Sequence, residues 1–187
     1  MLPGRASRAL LVAALAVALA LVGAPSAFAA KACPSRHATP AQVGTDQLTS
    51  STLCLLNAQR AHRGLRPLTM NRDLSRAALR HATDMEEHNY FSHNSRNGST
   101  FVQRIRRTGY LSHVSSWFVG ENLAWGAGGH RSTPQGIVAA WMASPPHRAN
   151  ILNGRFREIG IGVALGAPRR VFGLPAATYA TTFGTRG

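Results

Sequence analysis

The sequence predicts an α+β domain in which helices pack on a small sheet, and three observations carry that prediction. Apolar residues recur at three- and four-residue spacing through the segments that precede Pro145. Two runs rich in β-branched and apolar residues, separated by Gly-Ala-Pro, follow near the C-terminus and read as a hairpin. The length left after an N-terminal signal, about 158 residues, suits one domain with a real core rather than two. Helices first and strands later is the order of a layered α+β domain.

Residues 1–29 have the layout of a secretory signal. Arg5 and Arg8 precede an apolar run from Ala9 to Val22, and small residues surround Ala27-Phe28-Ala29, which places cleavage after Ala29. The apolar run falls short of the roughly 20 residues that a spanning helix needs, and no second run follows. The mature chain is therefore expected to lack a membrane span and to be secreted or cell-wall associated. Neither an Arg-Arg pair nor a Leu-x-x-Cys lipobox precedes Cys33, which leaves the general export route.

Residues 30–45, with Pro34, Pro40 and Gly44 and no apolar period, read as an irregular leader, so the domain proper is 46–187. Leu48, Leu55 and Leu56 place a first helix over 46–63, with Thr45 or Asp46 as cap and Gly64 as stop. Pro67 forces an extended connection. Leu74, Ala78, His81 and Met85 place a second helix from the cap Asn71 to near His88, and Phe101 and Ile105 a short third one from the cap Ser99 to Gly109. The segment Trp117 to Ala124 suits a strand end or a tight turn. Ser132-Thr133-Pro134 opens a fourth helix carrying Ile137, Val138 and Trp141 inward, and Pro145-Pro146 ends it. The hairpin strands are Glu158 to Leu165 and Arg170 to Phe183.

Cys33 and Cys54 are the two cysteines, and an exported destination is one where disulfides persist. A bridge would pin the leader to the first helix; the alternative is a buried helix cysteine and a thiol on the tail. The chain carries 21 Lys and Arg against 7 Asp and Glu, a formal charge of +14, of which Arg5 and Arg8 leave with the signal. Such a surface attracts anionic polymers such as those of the wall, or acidic lipid head groups. Export and the scatter of the arginines, Arg104, Arg106 and Arg107 apart, argue against nucleic acid as a partner.

Hydrolase signatures are absent: there is no Gly-x-Ser-x-Gly elbow, no His-Glu-x-x-His helix and no phosphate loop. His81, Asp84 and His88 lie along one side of the second helix, but His81 shares its apolar face and reads as a core histidine beside a surface pair. His93, Glu121 and His147 each follow or precede a stiff apolar segment. Two imidazoles and a carboxylate are what a three-ligand zinc site with an open position requires, and also what an acid/base pair uses. Their separations match no local metal motif, so three independent hydrogen-bonding residues under loops is the competing reading.

Phe91-Ser92-His93, Gly120-Glu121-Asn122-Leu123-Ala124 and Trp141-Met142-x-Ser144-x-x-His147-Arg148-x-Asn150-Ile151-Leu152 occur in this order. Leu56-Asn57-x-x-Arg60, Gly64-Leu65-x-Pro67-Leu68, Ala82-x-Asp84-Met85 and Phe156-x-Glu158-Ile159-Gly160-x-Gly162 accompany them. As a set they resemble the short bacterial branch of the CAP superfamily, which covers cysteine-rich secretory, antigen 5 and pathogenesis-related proteins. The resemblance spans about residues 48 to 184. It implies a three-layer α-β-α sandwich with helices on both faces of a small sheet and a cleft holding His93, His147 and Glu121. Where larger members place a second glutamate this chain has Ser144, which implies weaker divalent-ion affinity. The function implied is a secreted binding module for a divalent metal such as zinc, with a lipid, sterol or cell-wall-derived ligand. The alternatives are an extracellular hydrolase of peptide or wall material using the same His/Glu cluster, and an interaction protein in which that cluster is structural. Asn122 and Asn150 are expected to orient the cleft residues, and Trp141 to be core.

Overall fold

The structure is a computed structural model and describes residues 33–187; the signal expected over residues 1–29 and its cleavage point lie outside the described residues. The elements run α1 (Thr45–Ala61), β1 (Thr69–Met70), α2 (Arg72–Glu87), α3 (Phe101–Arg107), β2 (Trp117–Ala127), α4 (Pro134–Ala143), α5 (Pro145–Ile151), β3 (Glu158–Leu165) and β4 (Ala176–Arg186). The sheet order is β1-β3-β4-β2. β3 and β4 form the expected antiparallel hairpin, although β4 starts at Ala176 rather than Arg170 and runs on to Arg186; β2 pairs antiparallel with β4, and β1 adds two parallel residues beside β3. α2 covers one face of the sheet, while α1, α4 and α5 cover the other. This is the α-β-α sandwich that the resemblance implied.

The two faces of β3 explain the layering. Ile159, Ile161 and Val163 point into the larger core, where they meet Leu48, Leu55 and Leu56 of α1 and Ile137, Val138 and Trp141 of α4. The alternate positions are Gly160, Gly162 and Ala164. A Cβ at Gly160 would lie 2.0 Å from the Leu74 carbonyl carbon, and one at Gly162 would lie 2.2 Å from the Leu79 nitrogen. Any side chain at either position would push the α2 backbone off the sheet. The Gly-x-Gly of the sequence is thus the footprint of α2, whose inward residues Leu74, Ala78, Ala82 and Met85 are fully buried.

α1 is tied down by its C-terminal half. The Asn57 amide donates to Leu68 O and accepts from Leu68 N–H, and Arg60, wholly buried, donates to the carbonyls of Arg66, Ile151, Asn153 and Phe156. At the other end, Cys33 and Cys54 are bridged across 21 residues, and Gln135 N–H donates to Arg36 O (2.9 Å), so the leader packs across α1 and the start of α4. By the chain-entropy argument a loop of this size is worth roughly 3 kcal/mol.

Four local expectations are corrected. The residue before α1 is Gly44, with no side-chain cap. α3 is capped by Thr100, not Ser99: Thr100 and Gln103 form a reciprocal capping box, whereas Ser99 is buried and gives its carbonyl to Arg104. The Trp117 segment is a strand of 11 residues rather than a strand end, because β4 pairs with it along its whole length. Pro145-Pro146 does end α4, but Pro145 also opens α5, since a proline at the first helical position gives up only an N–H that would be unpaired anyway.

Candidate functional site

β2 is an edge strand, and its alternation sends successive side chains to opposite faces of the sheet. Glu121 points to the α2 and α3 side, where its carboxylate is 1% exposed. One oxygen, Oε2, accepts from Arg104 Nη2 at 2.7 Å. The other, Oε1, accepts from His93 Nδ1 at 2.9 Å. Arg104 is itself buried and donates further to Ser99 O (3.0 Å) and Ser95 Oγ (3.2 Å), so α3 and the loop that carries His93 are stitched to one carboxylate. A carboxylate only accepts, so His93 holds its proton on Nδ1 and presents Nε2 outward on a side chain that is 55% exposed.

His147 approaches the same edge from the other face. It lies on α5, and its carbonyl accepts from Asn122 Nδ2 at 3.0 Å. Asn150 Nδ2 donates in turn to Asn122 Oδ1 (2.8 Å) and to Glu121 O (3.2 Å). The two asparagines therefore do orient the cleft, by fixing the backbones at His147 and Glu121 rather than the side chains of either. Half-burial first, then the nearby His93 charge, lower the His147 pKa, so this imidazole is neutral at pH 7.

Of the three residues that the sequence singled out, His93 and Glu121 are in direct contact, and His147 reaches the same strand edge through its carbonyl bond to Asn122. Among the described residues, no three His, Cys, Asp or Glu side chains converge to hold an ion. Glu121, 1% exposed, is engaged by Arg104 through one oxygen and by His93 through the other. A carboxylate behind an imidazole is the usual support of a ligating histidine, fixing its tautomer and raising its basicity. Glu121 therefore stands as the orienting group behind His93, and an ion brought to the cleft would meet the outward Nε2 of His93.

The second-helix residues behave as expected. His81 is core, its Nε2 donating to Ser92 O at 2.8 Å one residue before His93, and Asp84 with His88 forms a surface pair at 3.1 Å. Trp141 is 1% exposed and donates from Nε1 to Leu123 O. Arg104 is the site residue that sequence reading missed, having been noted only as one of the clustered arginines Arg104, Arg106 and Arg107. The signal was its position on the inward stripe Phe101, Arg104, Ile105, Thr108.

A three-layer domain with a single disulfide and a His-Glu cleft at the edge of its sheet is of the SCP-like class. The profile of the cysteine-rich secretory protein family, CAP, matches residues 53–181, and the chain belongs to that family. Curated relatives include the Bacillus subtilis protein YkwD, 39% identical over 108 residues, covering 58% of this chain and 39% of that protein. Another is the B. subtilis membrane protein YlbC, 32% identical over 111 residues, covering 59% and 30%. The chain thus spans about a third of the length of these relatives. Among solved structures, an extracellular SCP-domain protein from Bacillus anthracis is 27% identical with a TM-score of 0.58, covering 74% of this chain and 40% of that one. An outer surface protein from Borrelia burgdorferi, 22% identical, TM-score 0.56, covering 71% and 88%, shares the fold. Among the described residues no helix is long and apolar enough to cross a membrane.

Proposed function

We propose that the chain is an exported binding module whose cleft takes a divalent transition ion such as zinc through His93 and His147. The observation that carries this reading is the buried Arg104–Glu121 pair, which holds the His93 ring by Nδ1 and leaves its Nε2 lone pair free beside a neutral His147. A bound ion supplies open coordination positions for water or for a small apolar or wall-derived ligand. The cationic surface supports delivery to an anionic wall. The disulfide and the extracellular solved relative support export. The hydrolase reading is weaker because the Glu121 carboxylate is 1% exposed and held by Arg104 and His93, which leaves it out of reach of a water it would activate directly.

Calorimetric titration of zinc into the mature protein tests the reading. Saturable uptake of one ion is expected at pH 7.5, with a large loss at pH 5, since ligating imidazoles must be deprotonated. His93→Ala and His147→Ala should each weaken uptake by more than about tenfold, while His88→Ala should leave it unchanged. Equal losses in all three variants would place the ion elsewhere, and no saturable uptake by wild type would overturn the metal reading.

A further inference from the structure

A second cavity, of about 320 Å³, opens between α2, α3 and the loop that carries Ser95 to Asn97. Its charged wall is mostly arginine: Arg80 from α2, Arg96 from the loop, and Arg104 and Arg107 from α3, with Asp84 as the opposing carboxylate. Two of these groups are already occupied. Arg104 is paired with Glu121, and Asp84 engages His88 through Oδ1 and the Tyr90 hydroxyl through Oδ2. Among the described residues, Arg80, Arg96 and Arg107 have no carboxylate within ion-pair distance. Three unpaired guanidinium groups around one concavity repel one another, and the walls of the concavity focus their potential inward. The planar fork of arginine matches the oxygens of a phosphate.

His81 supplies an independent observation. His81 is among the residues that line the cavity, and because its Nε2 donates to Ser92 O, Nδ1 is left as an acceptor, buried and without a partner. Buried acceptors are nearly always satisfied. A ligand hydroxyl would provide the missing donor.

We propose that this cavity binds a small hydroxylated phosphomonoester, its phosphate held by Arg80, Arg96 and Arg107 and a hydroxyl directed to His81. Three free cations against Asp84 leave an excess of two positive charges, the complement of a phosphomonoester near pH 7. The volume lies at the lower end for small-molecule sites, which suits a ligand of glycerol or monosaccharide size. The site shares Arg104 with the His93 cleft as a wall residue, but its phosphate-holding cations Arg80, Arg96 and Arg107 lie outside that cleft and do not depend on a metal being bound there.

Titration with glycerol 3-phosphate, followed by calorimetry at fixed ionic strength, provides the test. Wild type is expected to bind saturably, and inorganic phosphate to bind more weakly. The exposed pair Arg80→Ala/Arg107→Ala should weaken binding at least about tenfold, as expected for two lost charge-assisted contacts. The charge-matched pair Arg63→Ala/Arg66→Ala, on the exposed turn after α1, should change it less than about twofold. Equal weakening by the two double variants would mean that the whole surface, not the cavity, attracts the anion, and would overturn the proposal. So would the absence of saturation in wild type. Equal binding of the two phosphates would overturn the hydroxyl contact to His81.

Discussion

Arg60→Ala is expected to remove more than about 4 kcal/mol of stability, enough to leave a domain of this size partly unfolded at 37 °C. Arg60 is fully buried, and its guanidinium donates to four carbonyls from two separate segments, the turn at residue 66 and the end of α5 with the loop that follows it, residues 151–156. No carboxylate faces it among the described residues, so its charge is met by backbone dipoles alone. Truncation leaves those carbonyls without donors in a site that water does not reach, and also removes the packing of the arginine stem. Arg60→Met retains most of that packing and isolates the polar part. Urea unfolding should place Arg60→Met between wild type and Arg60→Ala, and a loss below about 1 kcal/mol for Arg60→Ala would contradict the account.

Arg104→Ala is expected to cost about 3–5 kcal/mol, because it strands the buried charge of Glu121. Glu121→Ala should cost a similar amount by stranding Arg104. The double variant should be clearly more stable than the sum of the two losses implies, since neither charge is then left alone. Urea unfolding of the four proteins gives the coupling. Additive losses would mean that the pair does not act as a unit and that His93 is oriented by something else.

Much of the fold was legible because its elements obey simple spacing. α2 carries Leu74, Ala78, His81 and Met85 on one stripe, and the pairing of β3 with β4 follows from their alternation, although the connection runs from Gly166 to Pro175 rather than through a tight Gly-Ala-Pro turn. The failures share a cause, in that each residue has two local meanings that only tertiary context separates. Pro145 both stops α4 and starts α5. Thr69–Met70 become a strand only because β3 lies beside them. Arg104 looked like surface charge because nothing in the local sequence says that Glu121, 17 residues later, faces it across the core. The same limit applied to the cleft: stiff surroundings made the three residues candidates and the resemblance grouped them, but neither said how they divide the work. Glu121 orients His93 because both meet on one face of the edge strand with Arg104, while Asn122, on the other face, holds the α5 backbone at His147.

That division of labour is the central claim, and long-range 1H–15N spectra of the imidazoles at pH 7.5, with and without zinc, test it most directly. The account predicts that His93 carries its proton on Nδ1 in the free protein, and that zinc shifts the Nε2 resonance of His93 together with one ring nitrogen of His147 while the Nδ1 proton of His93 persists. A His93 tautomer protonated on Nε2, or loss of the Nδ1 proton when zinc is added, would mean that Glu121 does not hold the ring and would contradict it.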